Sequence, residues 1–485
     1  MIPITIPVAE LKKALTGLSK IISRRSTLPV LGCVRIERAE GHIELAGTDL
    51  DTTVVVRLEI PAEAEPGAIL VPLDELAHIV KRCGRQDSLI LSSPGKDKVA
   101  IRFPVAGNLI EHQCDSFAPE EFPPVPEVKT EPVELDPTLR DAVQQALQCA
   151  STDETRIILN GAFLDVSKPN AHYVVGTDGR HLFSSNSFAL PLPESVIIPS
   201  HRFLGWKEFN EGKWVLRVSK PEKDQAQQIE IAGNNWRFIA RVREGMYPNW
   251  RQVIPALVDF NTTIEINPDQ VDEILKTIAK LPDHDDVNHK IGIESKGQVS
   301  LLTMSAGAEK WAPLPLSGVR TTGKDVKVFL NRKYLVKALR FGLTRIDLID
   351  ALSPVRFSAG GRQMIVMPIR PDAASVPTSP APIAPAASTK PAPPDAEPNE
   401  RKPMAEQNGN TTNGASRSTP TAEEKPALDT ALQQIDAIKT GFRDGIAGLN
   451  KLGDLLRQAQ RDHKSSDREI QSVRQTIRSL QGIRI

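Results

Sequence analysis

The sequence has little of what most catalytic, metal-binding or membrane proteins require. Its four cysteines are widely spaced without a C-x-x-C pair, which argues against zinc and redox motifs and favours buried free thiols in a reducing compartment. The 60 basic and 60 acidic residues leave no formal net charge, so overall charge does not support tight nonspecific nucleic-acid binding. No stretch approaches the roughly 18 apolar residues of a membrane span, and the first residues, MIPITIPVAELKK, lack signal-peptide character. We expect a soluble, cytoplasmic protein with no membrane partner.

Strong catalytic motifs are also missing from the sequence. It contains no phosphate-binding loop, dinucleotide fingerprint, zinc-protease helix or nucleophile elbow. An acidic cluster at residues 283–286, Asp-His-Asp-Asp, follows Pro282 and is better explained as a solvated turn than as a cation site. We therefore expect no enzyme, no catalytic residue, no metal and no cofactor.

What the sequence does contain is an internal repeat. Residues 47–50, Gly-Thr-Asp-Leu, recur 129 residues later as Gly-Thr-Asp-Gly at 176–179, and a weaker copy, Ser-Ala-Gly, stands at 305–307. A unit built three times usually makes a curved or closed assembly and less often a single catalytic pocket. The repeated Asp49 and Asp178 are explained as turn residues better than as catalytic ones.

Further landmarks share the same period. In the second and third units, Asp136 or Asn267 before a proline predicts a helix start, because the side chain accepts an unpaired N–H and proline has none to leave unpaired. Helix starts are predicted at 8–11, 136–139 and 267–270, and strand-cap-helix segments at 69–74, 196–200 and 328–332.

These patterns predict an α+β protein with three repeated domains. Period-two alternation indicates antiparallel strands, with about two helices in each unit gathered on one face of the sheets. At 485 residues the chain is too long for a single core. The predicted domains are 1–128, 129–256 and 257–371.

The composition changes after the third unit. Residues 372–425 are rich in Pro, Ala, Ser and Thr and predict a flexible linker. Apolar residues return at heptad spacing in 426–485, with weak positions at Gly445, His463 and Ser466. This pattern predicts a coiled coil or a helical hairpin. The tail would self-associate, bind a partner or dock on the rest of the protein.

Basic side chains collect on several predicted helices. A basic helix face is usually only solvated, but its repetition in equivalent helices predicts a common track that holds a polyanion through phosphate contacts without base recognition. The fourth predicted helix contains Arg202 and Lys207. The candidate residues of this phosphate-contacting track are Lys12, Lys20, Arg24, Arg25, Lys81, Arg82, Arg202, Lys207, Lys276, Lys280 and Lys337.

Residues 1 to about 371 resemble the bacterial DNA polymerase III beta subunit family, the sliding clamps. The resemblance is specific because several modest motifs occur in order on a triple repeat. The matching segments are 27–32 (TLPVLG), 47–50 (GTDL), 156–161 (RIILNG), 177–182 (TDGRHL), 247–251 (YPNWR) and 366–370 (VMPIR).

The resemblance implies a head-to-tail homodimer whose six domains close a ring around double-stranded DNA, with helices inside and sheets outside. Such a ring slides without sequence preference and tethers a replicative polymerase after an ATP-dependent clamp loader has placed it on DNA. Arg25 aligns with a DNA-contacting arginine of the family, and Arg24 lies beside it.

The family also has a hydrophobic groove between its second and third domains that takes short peptides of partner proteins. Leu159 and Val253 are the two positions most easily explained as ordinary core residues. Two departures from the family pattern are the reversed Arg180-His181 order and the continuation of the chain beyond Pro371. The groove residues implied by the resemblance are Leu159, Thr177, Gly179, Arg180, His181, Leu182, Pro248, Val253, Ile365, Met367, Pro368, Ile369 and Arg370.

The sequence therefore favours a processivity clamp. The alternative is an accessory or regulatory clamp homologue specialised by its coiled-coil tail. A DNA enzyme such as a nuclease is disfavoured by the missing motifs.

Overall fold

The computed structural model describes residues 3–370, apart from 24–25, 40, 62–66, 96, 187, 221–225, 284, 286 and 306–309. The predicted linker 372–425 and the predicted tail 426–485 lie outside the described residues. So do the candidates Arg24 and Arg25 and residues 306–307 of the weak third repeat copy.

The helices that open the three repeats begin where the sequence predicts. Asp136 accepts the N–H of Leu139 at 2.8 Å, and Asn267 accepts the N–H of Asp269 at 3.1 Å in a short turn that leads into the next helix. Within the described residues, the helices are α1 Val8–Leu18, α2 Leu73–Arg82, α3 Pro137–Cys149, α4 Lys207–Asn210, α5 Val271–Lys280 and α6 Arg332–Arg340.

The strands follow the threefold repeat. The first repeat forms β1 Ile4–Pro7, β2 Cys33–Ala39, β3 His42–Thr48, β4 Thr52–Leu58, β5 Gly67–Pro72, β6 Ser88–Gly95, β7 Lys98–Val105 and β8 Asn108–Asp115. The second forms β9 Val133–Leu135, β10 Gly161–Asp165, β11 Tyr173–Thr177, β12 His181–Ser185, β13 Val196–Pro199, β14 Trp214–Val218, β15 Gln228–Gly233 and β16 Trp236–Arg241. The third forms β17 Thr262–Ile266, β18 Lys290–Lys296, β19 Gln298–Thr303, β20 Ala312–Pro315, β21 Val319–Gly323, β22 Val326–Asn331, β23 Arg345–Leu348, β24 Val355–Ala359 and β25 Arg362–Val366.

Each repeat contributes strands to two sheets, and every pairing among the described strands is antiparallel. Two four-stranded patterns recur in the three repeats. The first is β5-β2-β3-β4, which recurs as β13-β10-β11-β12 and β22-β18-β19-β20. The second is β1-β6-β7-β8, which recurs as β9-β14-β15-β16 and as β17-β23-β24-β25 with β21 added beside β17. The predicted α+β class with three repeated units is confirmed.

The sheets continue across both junctions between repeats. The fourth strand of the first repeat, β4, pairs with the last strand of the second, β16, with Val54 opposite Phe238. In the same way β12 pairs with β25, with Leu182 opposite Ile365. We call these two junctions the first and the second seam. Backbone hydrogen bonds therefore join neighbouring repeats as they join strands within one repeat.

The prediction of two helices in each repeat holds for the first and third repeats and is only partly right for the second. There the second helix, α4, is a single turn of four residues. The preceding segment 202–205 forms turns instead, so Arg202, which was expected in a helix, is not helical. Gly205 interrupts the segment, and glycine is among the weakest helix formers.

Large aromatic side chains fill the first seam. The Phe203 ring lies 5.4 Å from that of Trp236, and Trp206 meets Trp236 edge to face at 5.2 Å. These indoles pack against α1 at the buried Gly17, where a Cβ atom would stand 2.3 Å from Trp236 Cη2 and 2.7 Å from Trp206 Cζ3. The absence of a side chain at Gly17 is therefore what lets the indoles approach the helix.

The Gly17→Ala substitution should lower the free energy of unfolding. Overpacking of a buried site costs about 1–3 kcal/mol, which exceeds the roughly 1 kcal/mol by which alanine favours a helix over glycine. Urea denaturation at one fixed protein concentration measures the change, and Gly32→Ala, whose Cβ would meet nothing within 4 Å, is the control. Equal or greater stability of the Gly17 variant would contradict this packing.

Candidate functional site

An apolar cleft lies at the second seam. It has an empty volume of about 550 Å³, including the part open to solvent. Nine of the sequence-predicted groove residues line it. They are Thr177, Gly179, Arg180, His181, Leu182, Pro248, Val253, Ile365 and Met367.

One wall of the cleft is the turn between β11 and β12. Thr177 Oγ1 donates to the carbonyl of His181 at 2.6 Å, and Asp178 Oδ1 accepts the N–H groups of Arg180 and His181 at 2.8 and 2.9 Å. Gly179 has φ 84°, in the left-handed region that glycine adopts without strain. The side chain of Asp178 thus holds the turn, as predicted for a structural residue.

The same turn is built in the first repeat. Asp49 Oδ1 accepts the N–H groups of Asp51 and Thr52 at 3.1 and 2.7 Å, and Leu50 takes the left-handed conformation with φ 81°. Burial raises the pKa of Asp49. Burial acts on Asp178 too, but hydrogen bonds and charge from His181 outweigh it and hold the pKa of that carboxyl well below its usual range.

The opposite wall comes from the third repeat. Strand β25 pairs with β12, which places Ile365 beside Leu182, and the N–H of Met367 donates to the carbonyl of Arg180 at 3.0 Å. The Met367 side chain is 46% exposed and that of Val253 is 38% exposed, so both offer apolar surface at the rim. Val253 is therefore a lining residue and not an ordinary core residue.

The connection between the second and third repeats closes the third side. The indole N–H of Trp250 donates to the buried Asp165 Oδ2 at 2.9 Å, and Arg251 Nη1 lies 2.8 Å from the same oxygen. Tyr247 stacks on Phe163 with ring centroids 4.4 Å apart. Burial opposes ionisation of Asp165, but hydrogen bonds from Ser167 and Trp250 and the nearby guanidinium outweigh it and lower the pKa of the carboxyl.

Four lining residues in this connection are absent from the sequence-derived set. They are Tyr247, Asn249, Trp250 and Gln252. The segment 247–251 is one of the matching motifs, but of its residues only Pro248 is included in that set. The signal that reveals the others is the pair of aromatic residues flanking Pro248 and Asn249, because aromatic side chains are frequent in ligand clefts.

Four sequence-predicted groove residues do not line the cleft. Leu159 is buried in a small core cluster with Leu182, Trp250 and other apolar residues behind the cleft wall. Ile369 donates its N–H to the carbonyl of Phe329 at 2.7 Å, which directs this part of the chain toward β22. Pro368 is half-buried and Arg370 is exposed; neither lines the cleft.

The candidate DNA-binding residues fall into two groups. Six are exposed residues within helices: Lys12, Lys81, Arg82, Lys207, Lys276 and Lys280.

The other described candidates make contacts across a seam. Arg202 donates to the carbonyl groups of Ser19 at 2.9 Å and of Lys20. Lys20 Nζ lies 5.6 Å from the centroid of the Trp206 ring. Lys337 Nζ donates to the carbonyl of Gln148 at 2.6 Å. Seam contacts therefore already occupy Arg202 and Lys337.

The acidic loop after Pro282 is held by internal hydrogen bonds. Asp283 Oδ2 lies 2.6 Å from His289 Nδ1, and Asp285 Oδ1 accepts the N–H groups of Val287 and Asn288 at 3.1 and 2.8 Å. His284 and Asp286 lie outside the described residues. Across the part of the chain that is described, no group of three or more metal-binding side chains occurs, and no helix has the length and apolarity needed to cross a membrane.

The comparisons with known proteins agree with this fold. Residues 2–125 match the family described as DNA polymerase III beta subunit, N-terminal domain. The chain is 26% identical to the beta sliding clamp of Synechococcus elongatus over 378 residues, which covers 74% of this chain and 97% of the relative. It is 23% identical to the beta sliding clamp of Escherichia coli over 384 residues, covering 76% and 99%.

Solved structures share the architecture. A Pseudomonas aeruginosa sliding clamp bound to griselimycin aligns with a TM-score of 0.63 and 22% identity, over 76% of this chain and 99% of that one. A Bartonella birtlesii sliding clamp bound to griselimycin aligns with a TM-score of 0.64 and 21% identity over the same shares. These structures share the fold, and the sequence matches along nearly the whole length of the relatives show that this chain is similar to the bacterial DNA polymerase III beta subunit family, the beta sliding clamps.

Proposed function

We propose that this chain is a DNA polymerase processivity factor, a homodimeric ring that encircles duplex DNA, slides along it and tethers the replicative polymerase. The observation that carries the proposal is the strand pairing across two seams of a threefold repeat. A non-catalytic tether of this kind agrees with the absence of catalytic motifs in the sequence.

The proposed ring closure follows from the strand pairing that is common to both seams. Each seam joins the fourth strand of one repeat to the last strand of the next. Among the fourth and last strands of the described repeats, two are left at sheet edges without a partner from another repeat. They are β20, the fourth strand of the third repeat, and β8, the last strand of the first. Pairing of β8 with β20 of a second copy would repeat the seam twice and close the assembly after two subunits.

The two edges have unequal chemistry. Strand β8 exposes Leu109 and Ile110, 60% and 44% accessible, which suits burial against another copy. Leu316, the residue after β20, donates its N–H to the carbonyl of Val299 on β19. Because backbone groups alternate in direction along a strand, those of Pro313 and Pro315 face the open edge. Proline has no N–H. We infer that β8 supplies donors and β20 supplies carbonyl acceptors.

Such a ring does not need high-affinity contacts with DNA. A closed ring is retained by topology, so phosphate contacts from scattered lysines and arginines suffice and leave sliding free. We assign this role to the six exposed candidates, together with Arg24 and Arg25.

We assign the cleft at the second seam to peptide segments of partner proteins, including the polymerase and an ATP-dependent clamp loader. Its apolar floor with a few polar groups at the rim is the usual chemistry of a ligand site. Two similar sliding clamps were solved bound to griselimycin, and we propose that this compound binds in the cleft at the second seam of this chain.

The tail adds a further expectation to this role. Its heptad pattern supports self-association or binding of another partner through residues 426–485. The relatives are named beta sliding clamps and match along nearly their whole length, which does not favour the alternative of an accessory or regulatory clamp.

Retention on DNA tests the ring. After loading on nicked circular DNA with clamp loader and ATP, the protein should stay bound through gel filtration, and cutting the circle should release it. The reason is that a topological link ends when the DNA has an end. Equal retention on circular and linear DNA would contradict the proposal.

The Met367→Asp substitution tests the cleft. A carboxylate at this apolar rim should weaken griselimycin binding at least tenfold, because desolvating a charge is costly. Isothermal titration calorimetry measures the affinity. Met246→Asp is the matched control, since Met246 is 91% exposed and does not line the cleft. Unchanged affinity in the Met367 variant would show that the compound binds elsewhere.

Deletion of residues 372–485 tests the tail. The truncated chain should still form the homodimer but lose any larger assembly, because the predicted heptads are removed while the repeats remain. Light scattering coupled to gel filtration gives both masses. If the full chain and the truncated chain form assemblies of the same order, self-association through the tail is wrong.

A further inference from the structure

Four polar side chains meet at the second seam, beside the cleft. His181 and Asp178 belong to the β11–β12 turn, and Tyr334 and Lys337 belong to α6 of the third repeat. Lys337 Nζ lies 3.0 Å from His181 Nε2, and the Tyr334 hydroxyl donates to Asp178 Oδ2 at 2.9 Å. The Tyr334 ring stacks on the imidazole at 4.2 Å. We call these four residues the seam cluster.

Lys337 joins three elements through one ammonium group. Besides the imidazole it contacts the carbonyl of Gln148 at 2.6 Å, in the last turn of α3. A cation is favourable at a helix C-terminus, where carbonyl groups lack helical partners. The ammonium therefore holds α6, α3 and the β11–β12 turn together.

The contact from Lys337 fixes the protonation of His181. An ammonium group can only donate, so Nε2 must offer its lone pair and the ring is neutral with its proton on Nδ1. Nδ1 lies 2.8 Å from Asp178 Oδ1 but is poorly aligned for a hydrogen bond, so this contact is mainly electrostatic. A second proton, on Nε2, would place two cations 3.0 Å apart.

The surroundings oppose that second proton. Burial lowers the pKa of His181 below its ordinary value of 6.5; Asp178 acts in the opposite direction and Lys337 adds to the lowering. The other titratable groups of this region are Tyr334, Arg180 and the Cys149 thiol, whose pKa burial raises to about 12. Burial raises the pKa of both Tyr334 and Cys149, so acidification adds a proton to neither. His181 is the group of the seam cluster that takes up a proton, once the pH falls below its lowered pKa.

The seam cluster is connected to the cleft wall by short hydrogen bonds. Asp178 orients the backbone of Arg180 and His181, both of which line the cleft. The Arg180 carbonyl in turn accepts the N–H of Met367 on the opposite wall. A shift of this turn would therefore move both walls.

We propose that Lys337 and Tyr334 are positioning residues for the cleft, and that acidification releases the cleft wall when His181 takes up a proton and loses Lys337. The inference rests on the proposed peptide-binding function of the cleft and adds a proton-sensitive element to it. It also gives a role to the Arg180-His181 order, since the second residue of the pair is the one that faces α6.

The test measures griselimycin affinity from pH 8 to pH 4 for the full chain and for Lys337→Met, because the pKa of His181 is lowered. The unaltered chain should bind with constant affinity down to the ordinary histidine pKa of 6.5 and lose roughly tenfold below it, as the pH falls through the lowered pKa of His181. The Lys337→Met variant should bind roughly tenfold more weakly at pH 8 and show little further change, because its link is already absent. Tyr334→Phe should weaken binding less, because Lys337 still holds the turn.

Lys333→Met is the matched control, since Lys333 is exposed on the same helix and should leave the affinity and the pH profile unchanged. Wild-type affinity and an unaltered pH profile in Lys337→Met would overturn the proposal.

An NMR titration of the His181 ring separates this result from failure of the cleft assignment. Removal of Lys337 should raise the pH midpoint of His181, whether or not griselimycin binds. An unchanged midpoint overturns the seam cluster, whereas absence of griselimycin binding at every pH, with the expected NMR shift, overturns only the cleft assignment.

Discussion

Backbone hydrogen bonding across the seams is the constraint on which the rest of the structure depends. Because β4 pairs with β16 and β12 with β25, each repeat is fixed to its neighbour by a sheet and not by surface contact alone. The cleft exists because of this pairing, since one wall is β12 with its turn and the other is β25. The same pairing leaves β8 and β20 as the strands through which a second copy can complete the pattern.

The seams also divide the basic residues between two roles. Arg202 and Lys337 reach back to carbonyl groups at the end of the preceding repeat's first helix, so their charge stabilises the junction. Under the proposed function, the exposed lysines and arginines elsewhere on the helices would contact phosphate. A formally neutral protein would then present some basic groups to DNA and use others at its own junctions.

Local features could be predicted from the sequence because their causes are local. The Asp136 cap, the repeated Thr-Asp turn and the period of the repeats depend on residues close in the chain. The turns before α4 also have a local cause, Gly205, but the strand-cap-helix pattern at 196–200 predicts a helix there. The roles of Trp250 and Lys337, in contrast, depend on partners that lie far away in sequence. A resemblance supplied most of the cleft residues, but it gave neither the aromatic connection nor the seam cluster, because it transfers positions and not contacts.

Amide hydrogen exchange in β8 tests the central claim most directly. The full chain is exchanged at concentrations above and below dissociation of the homodimer and read out by mass spectrometry. If β8 pairs with β20 of a second copy and so repeats the seam, its amides should be protected in the dimer and exchange quickly after dilution, while those of β16 stay protected throughout. Fast exchange of β8 in the assembled protein would contradict the account.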